Sequence, residues 1–501
     1  MINKKLILLA LCTSVYLNAQ ENWDQQIDAK FIEVLDTHRE FVSIPNIPMD
    51  VQDMFSNISW VKNKYEKVGF QLKTLESSTL PVLFAEKLIS SEFKTILFYF
   101  HLDGQAVDPA SWDQKDPFVP VLKKKGMSGK WEEISWSELQ ENVDDEWRIY
   151  GRSAADDKGP ILMFLSAMEL LQKQQIKPSF NIKIIFDLEE EYGSNGFLST
   201  LKKYKNKYQS DYMIIMDGPA HSSNQPTLTF GCRGIASCSI TTYGSKLPQH
   251  SGHYGNYVSN PVFGLSRLLS SMKSEDGKVL IEDYYKGITF EKEILDILKS
   301  VPENKKEIND ALGIFKEEKV GNNYQESLQY PTLNVRQIGT SWKGQELKTI
   351  IPEYATAHID VRLVSETDGK LQLEKIKKHI QKQGYLVLDR EPTDHERLSN
   401  GNIVTFKGDS GVNAFRTSLN DPFGLKLRNS LTNVFGREPV SIRTMGGTVP
   451  IIPAINELDI PAIIVPMVNM DNNQHNPNEN IRIGNLRQGI KICLALLTTE
   501  F

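Results

Sequence analysis

The sequence predicts an α/β protein in which a mostly parallel sheet with flanking helices is interrupted by an inserted α+β unit. Three observations carry this. Helical and strand-like runs alternate over residues 25–236, the pattern of a covered parallel sheet. After Gly234 the strands alternate apolar and polar residues, as in a sheet with one solvated face. From about residue 413 the first pattern returns and ends in an apolar helix. The expected organisation is a leader over residues 1–19, a first domain over 20–236 and 413–501, and an insertion over 237–412.

The elements follow in order. Lys4 and Lys5 precede a short apolar stretch, and Ala19 stands where a leader is cut; a signal peptide is expected, with export to the periplasm or the medium. The stretch is shorter than the ~20 residues that span a bilayer, so no membrane anchor is expected. Residues 28–42 have helical apolar spacing stopped by Pro45 and Pro48, and residues 95–100 form a near-continuous apolar strand. Pro160 opens a helix to about residue 174, and strands follow at 181–188 and 212–216. In the insertion, strands are expected at 236–243, 354–362 and 385–388, a helix at 371–383, and a charged helical stretch over 281–319.

Composition excludes some functions. A net charge of −6 without a basic tract or an arginine patch leaves nothing to neutralise a phosphate backbone, so nucleic acid is not an expected partner. Beyond the leader, Cys232, Cys238 and Cys493 have no paired spacing and form no disulfide framework or zinc knuckle.

Five stretches carry the chemistry. His101-Leu102-Asp103 follows the apolar strand, and residues two apart in an extended segment share a face, so a ligand histidine and its orienting carboxylate occur at that spacing. Asp156-Asp157 precedes a helix, Glu189-Glu190-Glu191 follows a strand, and Asp217 ends another. His475 lies in a polar loop. Taken singly, each is equally a helix cap, a solvated turn or an exposed histidine. Adjacent carboxylates repel unless a cation offsets them, and carboxylates with imidazoles gathered at the carboxyl edge of a sheet make a metal site.

In order and spacing the five stretches resemble the M20 metallopeptidases, which include carnosinase-like dipeptidases, carboxypeptidases and aminoacylases, and the resemblance begins at Phe41-Val-Ser-Ile-Pro45. It implies a catalytic domain carrying two divalent metal ions, zinc first, with manganese or cobalt as substitutes. The implied ligands are His101, Asp156 as the bridge, Glu191, Asp217 and His475, with Asp103 orienting His101 and Glu190 as general base. His250, in Leu247-Pro-Gln-His250-Ser-Gly252, matches a lid histidine that stabilises the oxyanion and reaches the site from a neighbouring subunit in dimeric relatives. Arg362, Thr349, Gly447 and Thr448 match positions around a substrate carboxylate, and without the resemblance Arg362 reads as a surface ion pair. The implied activity is hydrolysis of dipeptides or short peptides with a free C-terminal carboxylate, by a homodimer joined through the inserted lid domain. N-acyl amino acid deacylation is the enzyme alternative, and a catalytically inactive peptide-binding protein is the alternative of another class.

Overall fold

A computed structural model describes residues 4–342, 344 and 348–501, with side chains from residue 23 onward. Residues 4–22 are described only as backbone of the helix Lys4–Val42, so the leader expected over residues 1–19 lies outside the described side chains. No described helix is long and apolar enough to cross a membrane. The α/β class read from the sequence is the observed one. The chain divides into two compact units: residues 1–230, 417–442 and 453–501, and residues 231–416 with 443–452.

The first unit is built on an eight-stranded sheet in the order Gln71–Leu75, Val82–Lys87, Asn181–Asp187, Thr95–His101, Tyr212–Ile215, Ala462–Ile464, Thr227–Thr229, Val440–Ile442. Its centre is parallel: Thr95–His101 lies between Asn181–Asp187 and Tyr212–Ile215, and Ala462–Ile464 continues in the same sense. Thr95–His101 is buried along nearly its whole length, which is why it reads as a continuous apolar run. One face is covered by the helix Lys158–Lys173, whose Phe164 ring lies 4.8 Å from that of Phe98 and 5.6 Å from that of Phe100. This helix packs on Ile483–Leu497. A Cβ added at Gly489 would fall 2.0 Å from Met163 Sδ, so glycine lets the two helices meet there without displacing the Met163 side chain.

A second sheet of the first unit is antiparallel, in the order Asn480–Arg482, Arg148–Tyr150, Val121–Lys125, Trp131–Ile134. It departs from the expectation that one sheet edge carries the chemistry. Residues 151–157 leave the Arg148–Tyr150 strand of this small sheet, because its partner Asn480–Arg482 begins directly after the His475 loop and pairs Asn480 with Tyr150.

The second unit holds a five-stranded sheet in the order Asn334–Thr340, Tyr354–Leu363, Gly234–Tyr243, Ile403–Val412, Leu386–Leu388. Burial alternates strictly along Gly234–Tyr243, and the buried set packs beneath the helices Pro261–Met272 and Gly369–Lys382. The charged stretch expected as helix over 281–319 is instead two short helices, Lys292–Ser300 and Lys305–Leu312. Pro302 lies between them, and Asn304 restarts the chain by accepting hydrogen bonds from Lys306 N and Glu307 N.

Candidate metal centre

Three neighbouring parallel strands deliver one set of groups. Thr95–His101 ends on His101, Asn181–Asp187 leads into the short turn of helix Glu190–Tyr192, and Tyr212–Ile215 leads to Asp217. The small antiparallel sheet delivers the other set, with Asp156 and Asp157 after one strand and His475 and Glu479 before its partner. Adjacent strands are ~4.8 Å apart, so groups one or two residues past their ends fall within reach of a single ion.

The convergence is close. His101 Nε2 lies 2.9 Å from Asp156 Oδ1, and His475 Nε2 lies 3.3 Å from Asp156 Oδ2 and 3.0 Å from Glu191 Oε2. Asp156 thus presents one oxygen to each histidine. Among the described residues, two groups have ligand atoms all within 4.8 Å of one another: His101, Asp157 and Asp217, and Asp156, Glu191 and His475. The structure brings every expected ligand into this cluster and adds Asp157, which sequence reasoning treated as a possible helix cap. Asp157 does precede the helix Lys158–Lys173, but its side chain makes no capping bond; Oδ2 accepts from His101 N at 3.2 Å, and the buried Oδ1 has no hydrogen-bond partner among the described residues.

Asp103 is fully buried and braces the strand side. Its Oδ1 lies 3.3 Å from His101 Nδ1 and accepts from Glu190 N at 3.0 Å, while Oδ2 accepts from Glu191 N at 3.1 Å. One carboxylate therefore orients the imidazole and fixes the backbone of both glutamates. These two glutamates differ sharply in partners. Glu191 Oε2 is held by Gln105 Nε2 at 2.9 Å and by His475, whereas among the described residues the Glu190 carboxylate accepts no hydrogen bond.

Glu479 does the corresponding work on the other side. Its Oε1 accepts from Ala155 N at 3.1 Å and Asp156 N at 3.0 Å, and its Oε2 from Ser153 N and Arg152 Nη1 at 2.9 and 2.8 Å. Sequence reasoning missed it. The available signal was an acid four residues beyond the loop histidine, which by itself is only another polar loop residue.

The electrostatics are those of a cradle with too many anions. Burial and the neighbouring Asp156 push Asp217 up to about 6, burial lifts Asp103 to about 6, and burial with the nearby carboxylates raises Glu190 well above the usual range. Burial alone would lift Asp156 too, but the two imidazoles at its oxygens hold it below the ordinary carboxylate value. Contacts with Asp156 and Glu191 carry His475 up to about 10. Imidazole nitrogens and carboxylate oxygens in two groups of three, with an unpartnered buried oxygen on Asp157, fit two divalent cations by donor chemistry.

The second unit places the remaining expected residues in two clusters. His250 is exposed; its Nδ1 accepts from Gly252 N at 3.0 Å, which leaves the proton on Nε2, 3.3 Å from Thr349 Oγ1. The strands Gln249–His250 and Ile350–Ile351 pair and hold the two together. Elsewhere in the unit Arg362 Nη1 donates to Thr448 Oγ1 at 2.7 Å, and Thr448 Oγ1 donates to Arg233 O at 2.7 Å, with Gly447 exposed beside it. Among the described residues no carboxylate pairs with Arg362, so it is not the surface ion pair that the strand pattern alone suggests.

The profile of peptidase family M20/M25/M40 matches residues 97–499, most of the chain. The chain belongs to this family. Among M20 relatives it is 26% identical over 489 residues to the Cys-Gly metallodipeptidase dug1 of Schizosaccharomyces pombe, covering 93% of this chain and 95% of that one. It is 24% identical to the human Beta-Ala-His dipeptidase over 94% of this chain and 90% of that one. Among solved structures, the M20 family metallo-carboxypeptidase Sso-CP2 of Sulfolobus solfataricus superposes with a TM-score of 0.72 at 27% identity, covering 93% of this chain and 99% of that one. The chain is a metallopeptidase of the M20 type.

These relatives overturn one expectation. The chain follows the fungal Cys-Gly metallodipeptidases along nearly its whole length, and these relatives stand against the export expected from its first residues. The expected periplasmic or secreted location is withdrawn.

Proposed function

We propose that this M20 metallopeptidase is a dipeptidase that hydrolyses the peptide bond of dipeptides or short peptides with a free C-terminal carboxylate, using two divalent cations, zinc by preference. The observation that carries the reading is the contrast between Glu191, tied to His475 and Gln105, and Glu190 beside it, whose carboxylate accepts no hydrogen bond among the described residues. His101, Asp156, Glu191, Asp217 and His475 are the ligands in this reading, with Asp157 turned toward the His101 side. When bound, the cations acidify a water molecule and polarise the scissile carbonyl. Glu190 accepts the proton of the attacking water and returns it to the leaving nitrogen, a task for which burial, by raising its pKa, suits it.

The second unit is the lid in this reading. His250, with its Nε2 proton available, donates to the oxyanion, and Arg362 with Thr448 grips the substrate carboxylate; Thr349 and Gly447 border these two groups. A homodimer formed through the lid supplies His250 to the neighbouring copy. The test is a panel of unblocked dipeptides, Cys-Gly and β-Ala-His among them, against N-acetyl amino acids, with metal-stripped protein restored by zinc or manganese. Turnover of the dipeptides is expected. Turnover of only the acetylated set would make the protein a deacylase, and binding without turnover of either set would make it a peptide-binding protein.

A further inference from the structure

We propose that Asn46 is a positioning residue that sets the spacing between the two halves of the metal centre. The proposal rests on the two-metal reading above. Each half is braced from within: Asp103 fixes His101 and the Glu190–Glu191 backbone, and Glu479 fixes residues 152–156. Most contacts that join one half to the other run through ligand atoms, such as His101 to Asp156 and His475 to Glu191, and these change partners when cations enter. Asn46 joins the halves through atoms that are not ligands.

Its side chain is fully buried. Nδ2 donates to Leu102 O at 2.8 Å, the carbonyl between His101 and Asp103, and to Ser153 Oγ at 3.0 Å; the Ser153 hydroxyl in turn lies 3.3 Å from Asn46 Oδ1. The Asn46 backbone carbonyl accepts from Gly104 N at 2.9 Å. The two loops meet so closely that a Cβ on Gly104 would fall 2.2 Å from Ser153 Oγ and 3.2 Å from both polar atoms of the Asn46 side chain. One amide thus spans from the His101–Asp103 segment to the turn that carries Asp156. Moving either loop by a fraction of an ångström shifts Asp156 relative to His101, and so shifts the spacing of the donor atoms that would hold two cations. Partners of this kind act on metal affinity as well as on rate.

The experiment titrates metal-stripped full-length protein with Zn²⁺ against a chromophoric chelator, with thermal melts in parallel, for wild type, Asn46→Ala, Ser153→Ala, the double variant and Asn57→Ala. Asn57 is a control of the same neighbourhood: it is buried, its amide donates to Pro45 O at 2.7 Å and Asp53 O at 2.8 Å, and among the described residues its side chain makes no hydrogen bond to either ligand-bearing loop. Wild type is expected to take up two ions. Asn46→Ala and Ser153→Ala should each weaken at least one of them by about ten-fold or more, with the double variant no worse than Asn46→Ala, and Asn57→Ala should lower the melting temperature while leaving both affinities in place. Wild-type affinities in Asn46→Ala and Ser153→Ala would overturn the assignment. So would an equal loss of affinity in Asn57→Ala at an equal loss of stability. Should Asn46→Ala fail to fold, Ser153→Ala, which leaves the bond to Leu102 intact, decides alone. Wild type that takes up fewer than two ions removes the two-metal reading itself, and the proposal with it.

Discussion

The metal cluster of the first unit and the polar residues of the second are built on opposite terms. His101, Asp103, Asp156 and Asp157 are buried, and Asp103 and Glu479 hold backbone as well as side chains, so geometry there is over-determined. His250 is exposed, bonded to one hydroxyl and one backbone N–H and set against the His253 ring, and the Arg362 side chain is held through one hydroxyl. Rigid placement suits groups that must share ions at fixed distances, whereas lightly held donors remain free to meet a substrate. The difference makes distinct demands on substitutions in each region.

Glu190→Gln should cost about 10²–10⁴ in kcat with metal content unchanged, because it removes the proton carrier and no ligand; metal analysis beside steady-state rates checks both halves of the statement, and unaltered turnover would remove the general-base role. His250→Ala should lower kcat by about 10²–10³ with full metal loading and little change in melting temperature, since the residue is exposed and, beyond Thr349, only caps the one-turn helix Ser251–Tyr254 and lies against His253. A fall in its melting temperature would show that the second unit is held as tightly as the first.

Behind the Asp156 turn, His38 should make a contribution to stability that acid removes. Burial holds His38 at about 4, with Nε2 2.9 Å from Ala154 O, so the folded pKa lies below the unfolded value near 6.5. Its contribution is present in full above pH ~6.5 and is lost as the pH falls toward 4, because the unfolded chain binds the proton first; the loss is on the order of 3 kcal/mol. The slope is read as the difference between wild type and His38→Gln in denaturant melts from pH 7 to 4, because the raised Asp103, Asp217 and Glu190 respond with the opposite sign and are common to both.

Arg362→Ala should raise KM by roughly ten- to a hundred-fold with a smaller change in kcat, the worth of a charged hydrogen bond of about 1.5–3 kcal/mol. Peptides amidated at the C-terminus should be insensitive to the substitution. Thr448→Val should have the least effect, about 1 kcal/mol in KM, by freeing the guanidinium from the hydroxyl that aims it.

Much of this was legible along the chain. Thr95–His101 and Asn181–Asp187 are continuous apolar runs because both faces are covered, and Gly234–Tyr243 alternates because one face is not. The five acidic or histidine-bearing stretches stood out by residue type and position after strands. Asp157 did not, since its alternative role as a cap explained it equally well until its side chain proved to be turned toward His101 N. Glu479 offered only an acid four residues beyond the loop histidine, and Asn46 had no local signal. Their partners lie far away in sequence, 326 residues from Ser153 to Glu479 and 107 from Asn46 to Ser153.

By itself the sequence determined which segments become strands and helices, and which residue types stand at their ends, because periodicity and capping act over a few residues. Tertiary structure alone decided that Asp156 and His475 arrive from a second, antiparallel sheet, that Asp156 shows one oxygen to each histidine, and that Glu191 is held while the Glu190 carboxylate has no hydrogen bond among the described residues. Those outcomes depend on hydrogen bonds between loops that are neighbours only after the sheets have formed, and no local pattern encodes a distance between two sheets.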